Sequence, residues 1–196
     1  WDLREQGWEE WYQSVLRGFQ IVQAYNHKIH LIGFSTGGAL CLKLAAMHSD
    51  KLCSVVAINT PLNFKNKNMK FIPLIHKANK LVRWGSSMDG VKPFIRNQSE
   101  HPHINYQNIP VRALYELQQV TTNMYDSLQY ISCKVDLYQA TNDPVVEPNS
   151  GEAIYKAIGT NNKSLTMIEA DHHGILYQNT DDIQSKVIQL LEACNE

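Results

Sequence analysis

The chain has no apolar run near the roughly 18 residues that a membrane-spanning helix requires, and no signal-peptide pattern opens it. A soluble, cytoplasmic protein is therefore the expectation. A surplus of one charge is also missing: 18 Lys and Arg against 19 Asp and Glu give a net charge of -1, which leaves no whole-chain attraction for nucleic acid. The four cysteines, Cys41, Cys53, Cys133 and Cys194, lie far apart and form no C-x-x-C pair. That spacing excludes a zinc ribbon and a thioredoxin motif, and predicts reduced, mostly buried thiols. G-x-G-x-x-G is absent and no Walker lysine follows the glycines at 33–38, so neither a dinucleotide fingerprint nor a phosphate loop is present. Histidines pair at His172 and His173, and again at His101 and His103, but no further ligand stands at a convincing spacing. No metal and no cofactor is expected.

What remains is an ordinary globular composition, 43% apolar and 19% charged over 196 residues, long enough to bury a core without disulfides. From Asp2 to about Tyr25 the bulky residues Trp8, Trp11, Tyr12, Val15, Phe19 and Val22 follow the spacing of one helical face. Lys28 to Phe34 then reads as a strand, Ser35 to Gly38 as a tight turn, Ala39 to Met47 as a buried helix, and Leu52 to Asn59 as a second strand stopped by Pro61. Strand, helix, strand predicts a parallel unit. The rhythm breaks from Leu62 to about Ser132, where helical patterns dominate, as at Phe71 to Trp84 and Pro110 to Leu128, and no strand of similar quality appears. It resumes with a strand over Val135 to Thr141, a helix near Ser150 to Ile158, a strand over Leu165 to Ala170 and a closing helix from about Asp181 to Ala193. The expected architecture is α/β, a mostly parallel sheet flanked by helices, with 1–61 and 133–196 as the core and 62–132 as a helical cap.

Gly33-Phe34-Ser35-Thr36-Gly37 matches G-x-S-x-G, the turn that exposes a serine hydroxyl between a strand and a helix. Glycines two before and two after the serine are expected to let neighbouring backbone approach without Cβ clashes. By itself the pattern arises by chance in about one chain in fifteen of this length. Its place between a predicted strand and a predicted helix is what makes Ser35 a candidate nucleophile.

Such a serine needs an imidazole to take its proton and a carboxylate to orient the imidazole, and in this chain order the acid comes before the histidine. Asp143 follows the strand-like run ending at Thr141, and Pro144 is expected to hold it extended beyond the carboxyl edge of the sheet. Asp136 lies inside a strand, while Asp171, Asp181 and Asp182 suit a loop or a helix cap better. His172 and His173 both follow the last predicted strand, and their spacing alone does not choose between them.

Together these motifs resemble the carboxylesterase and monoacylglycerol-lipase-like α/β-hydrolases, including the serine-aminopeptidase-like members, over essentially the whole chain. LIGFSTGG is similar to their elbow, ATNDPVV to their acid loop, HGIL to their histidine loop, and PVRALYEL to the helix returning from their cap. The resemblance selects His173, which Ile175 follows at the second position. It implies a triad of Ser35, Asp143 and His173 and an oxyanion donor at the Thr36 N–H. It further implies hydrolysis of a small acyl ester or monoacylglycerol-like substrate through an acyl-enzyme. Peptidase and thioesterase activities share the same triad, and a non-catalytic interaction module built on the scaffold is the alternative from another class.

Members of that group carry several strands and a His-Gly-type oxyanion loop ahead of the helix that opens this chain, which also starts without Met. The strand at Lys28 to Phe34 is therefore expected at an open edge that an N-terminal segment or a second copy completes. In the cap, Leu62 to Glu100 holds eight basic residues against Asp89 and Glu100, interleaved with Phe64, Met69, Phe71 and Trp84, a pattern that fits an anionic lipid interface as well as a solvated face.

Overall fold

In the computed structural model, residues 2–25, 28–96, 106–170, 184–185, 187–189 and 192 are described. The apolar runs form four strands: β1 at His30–Phe34, β2 at Ser54–Ile58, and, after an intervening short pair, β5 at Lys134–Ala140 and β6 at Lys163–Ile168. They make one parallel sheet in the order β1-β2-β5-β6. The inner strand β2 is covered on both faces, which is why SVVAI reads as a nearly continuous apolar run instead of an alternating one.

The strand pleat divides those runs between two cores. Val55, Ala57, Val135 and Leu137 point into one cluster, and Val56, Ile58, Tyr138 and Ala140 into the other. Helix α3, Thr36–His48, fills the first cluster with Ala39, Leu42, Leu44 and Ala45, none of them exposed. Its sequence is apolar on nearly every side, as suits a helix held inside the molecule. Helix α6, Asn149–Ala157, adds Ile154 to the same side. At burial worth about 1.5–3 kcal/mol per large aliphatic side chain, this core is the main stabilising term of the sheet unit.

The chain divides into two compact units, Trp1–Glu10 with Asn66–Gln119, and Trp11–Lys65 with Val120–Glu196. The first unit contains α1, Asp2–Glu5, the start of α2, Trp8–Tyr25, all of α4, Ile72–Gly85, and most of α5, Val111–Ser127. One expectation is corrected here. The opening helix is broken at Gly7, whose N–H donates to Glu10 Oε2 at 2.7 Å while the Trp8 N–H donates to Glu116 Oε2 at 3.2 Å. Side-chain carboxylates thus satisfy the first amides of α2, which lack intrahelical acceptors, and a new helix can start in mid-pattern. The segment in which no strand of similar quality was legible holds a short one, β3, Phe94–Arg96, paired antiparallel with β4, Asn108–Pro110. Three-residue strands are too short to show a period of two, which is why the pattern hid them.

The predicted closing helix and Cys194 fall largely outside the described residues. Cys41 and Cys133 are buried and Cys53 half-buried, all three as free thiols, and burial pushes the Cys41 thiol up to about 11. No helix among the described residues is long and apolar enough to cross a membrane.

Candidate active site

Ser35 stands where β1 gives way to α3, with φ 52° and ψ -121°. A positive φ is costly for a residue with a Cβ, and here the surrounding contacts enforce it. The Ser35 N–H donates to the Ile58 carbonyl at 2.8 Å, extending the β1–β2 ladder one residue past the strand, and the Ala39 N–H donates to the Ser35 carbonyl at 3.2 Å, opening the helix. One residue therefore ends a strand and starts a helix.

The glycines around it act unequally. A Cβ on Gly33 would sit against the Gly37 carbonyl and the Gly38 Cα, well inside contact distance, so the strand end and the first turn of α3 can meet only without a side chain there. At Gly37 a Cβ would meet nothing within 4 Å beyond its chain neighbours and its own helix backbone, contrary to the expectation that both motif glycines prevent clashes. The second close approach falls on Gly38 instead, whose missing Cβ leaves room for the Thr60 hydroxyl. Thr36, the residue named as oxyanion donor, opens α3 in a turn whose amides have no intrahelical partner.

Asp143 lies three residues past β5, at the same carboxyl edge of the parallel sheet as Ser35, and is completely buried. The Val145 and Val146 N–H groups donate to its Oδ1 at 2.7 and 2.9 Å. Two amide donors on one oxygen fix the direction of the carboxyl group. The rival Asp136 sits inside β5, where its Oδ1 accepts from the Ser164 hydroxyl at 2.6 Å and its Oδ2 lies 3.5 Å from Lys134, far back along the strand. His172 and His173 lie outside the described residues, as does Asp171.

One residue the motif reading missed organises this edge. Asn59, just past β2, has φ 46° and is fully buried. Its N–H donates to the Tyr138 carbonyl at 2.8 Å, and its Oδ1 accepts the Ala140 N–H at 2.8 Å and the Gln139 amide at 3.3 Å. Asparagine is the side chain that best combines a left-handed backbone with a local hydrogen bond. The only sequence signal for it is an Asn ending an apolar run before Thr60-Pro61.

Comparison with known proteins identifies the fold and the family. The chain is 23% identical over 193 residues to a carboxylesterase of Bacillus subtilis (strain 168), covering 97% of this chain and 75% of the relative. It is 23% identical over 175 residues to a thermostable monoacylglycerol lipase of Bacillus sp. (strain H-257), covering 88% and 65%. Among solved structures it superposes on a metagenome-derived lipolytic enzyme of the LipS and LipT study with a TM-score of 0.80 at 18% identity, covering 97% of this chain and 76% of that one. It superposes on the Paleococcus ferrophilus monoacylglycerol lipase with a TM-score of 0.75 at 14% identity, covering 95% and 76%. The fold is that of the α/β-hydrolases. The serine aminopeptidase S33 family profile matches residues 12–180, most of the sequence including the elbow and the acid loop, and the chain belongs to that family.

Proposed function

We propose that the chain hydrolyses carboxylic esters through an acyl-enzyme on Ser35. The observation that carries this reading is the strained turn at Ser35, held at φ 52° on the sheet edge that also presents the buried Asp143. Strain kept in place by its surroundings belongs to a site whose geometry matters. In the cycle, the Ser35 hydroxyl oxygen attacks the ester carbonyl while His173 takes its proton. The Thr36 N–H donates to the oxygen that becomes negative, and His173 returns the proton to the departing alcohol. Asp143, oriented by two amides, holds the imidazole tautomer, and water then repeats the route to release the acid. The names of the two Bacillus relatives favour an ester over an amide or thioester, with a small acyl ester or monoacylglycerol-like molecule as the substrate class.

A fluorophosphonate probe tests the nucleophile directly. Labelling should occur in the wild-type chain and disappear in Ser35→Ala and in His173→Ala. Label retained in Ser35→Ala moves the nucleophile to another residue and overturns the assignment, and a folded wild type that never labels leaves a scaffold without turnover.

Two contacts accompany this reading. Leu74, Leu81 and Trp84 on α4 are 68%, 69% and 90% exposed, which supports a lipid interface for the cap, checked by cosedimentation with anionic against neutral vesicles. Among the described residues β1 pairs only with β2, which supports an added strand from a further segment or a second copy, distinguished by native mass spectrometry.

A further inference from the structure

Within the unit built from Trp1–Glu10 and Asn66–Gln119, α4 and α5 line a cavity of about 510 Å³. This lies in the size range of small-molecule sites. Lys80 and Arg83 line it from α4, at the spacing that puts both on one helical face, and Arg112 lines it from α5. His76 and Tyr115 form an aromatic wall, their rings stacked 4.4 Å apart and 3° from parallel. Every lining residue belongs to this unit, and neither Ser35 nor Asp143 is among them.

The charges in the cavity are unevenly matched. Arg4 is taken up by Asp89, with Nη2 and Oδ1 2.5 Å apart. Lys80 pairs with no carboxylate among the described residues. Arg83, Arg112 and the Nε of Arg4 share the carboxylate of Glu5, but only at 4.0, 3.8 and 3.8 Å, and Glu116 stands 3.8 Å from Arg112. A well-formed guanidinium–carboxylate bond is about 2.7–2.9 Å long, so neither Arg83 nor Arg112 is satisfied. Glu5 is itself 63% exposed and sits on a four-residue helix. The chain's own acid thus stands beside guanidinium groups that line the cavity without closing on any of them.

We propose that this cavity binds a small organic anion, a carboxylate or phosphate monoester on a flat or apolar body. Arg83, Arg112 and Lys80 hold the anion, and the Tyr115–His76 wall receives the body. Binding displaces Glu5. A guanidinium pair reads both oxyanions bidentately, and the aromatic wall adds contact that inorganic ions cannot use.

The test uses the full chain carrying Ser35→Ala, so that no turnover or acyl-site chemistry contributes. Phenyl phosphate and benzoate are titrated by calorimetry and by thermal shift, with benzyl alcohol as the uncharged control. Saturable binding of at least one anion is expected, weakened by roughly 0.5 M NaCl because the cations are partly exposed, with little binding of the alcohol. The relative affinity of the two anions identifies phosphate or carboxylate as the preferred group. Arg83→Gln with Arg112→Gln should weaken binding by about tenfold or more. Glu5→Gln, which leaves both arginines in place, should tighten it, because the internal competitor is gone. The proposal fails if neither anion binds by about 10 mM. It also fails if benzyl alcohol binds as well as the anions, or if Glu5→Gln weakens binding.

Discussion

Replacing Ser35 by glycine should make the protein more stable, not less. At φ 52° and ψ -121° a side chain is held in a region that essentially only glycine occupies freely, at a cost of about 1–3 kcal/mol. Glycine removes that cost but carries more conformational freedom in the unfolded chain, worth about 0.5–1 kcal/mol against it. Ser35→Ala is the proper reference, because it also lacks the hydroxyl yet keeps the Cβ and hence the strain. Ser35→Gly should exceed Ser35→Ala by about 1 kcal/mol, which for a chain of this size is a rise in Tm of roughly 2–4 °C. Paired thermal melts by circular dichroism measure the difference, and neither variant should label with a fluorophosphonate. If Ser35→Gly melts at or below Ser35→Ala, the turn stores no strain and the structural basis for placing a nucleophile there is lost.

Two further predictions concern charge. Asp143→Asn keeps an oxygen for the Val145 and Val146 amides, so the fold should survive while ester turnover drops on the order of 10³ to 10⁴-fold, read by a chromogenic ester assay. Asp143→Ala removes that acceptor, leaves two amides unsatisfied, and should in addition lower stability by about 1–3 kcal/mol by urea denaturation. His30 and His76 both titrate below their ordinary value of 6.5. Burial is the main cause in each, joined by Lys134 and Lys28 at His30 and by Arg112 and Lys80 at His76. The unfolded chain therefore binds these protons more readily than the folded one. Their contribution is fully present above about pH 6.5 and is lost as the pH falls through the depressed folded values. Urea midpoints should decline from pH 7 to 5, and His30→Gln with His76→Gln should flatten that decline.

The sheet was readable because its two inner strands, β2 and β5, are buried almost throughout and the edge strand β1 keeps an apolar run bounded by turn residues. The elbow was readable for a related reason: a turn this tight admits few residue types, and Gly33 shows the constraint in its bare form. What escaped depends on partners distant in sequence. The break at Gly7 depends in part on Glu116, the β3–β4 pair on residues 94 to 110, and the role of Gly38 on Thr60. Asn59 escaped for the same reason, since nothing local says that its side chain will meet Gln139 and Ala140. Asp143 could be located from its loop, but not the two amides that grip it.

Asn59 ties the two halves of the candidate site into a single mechanical part. From the Ser35 amide the connection passes to the Ile58 carbonyl, along one peptide to Asn59, and through both the backbone and the side chain of Asn59 onto the strand that delivers Asp143. The spacing between serine and acid is thus set by rigid sheet hydrogen bonds and not by the loops that carry them. Evolution could exchange those loops, and with them the choice of substrate, while the working distance stayed fixed.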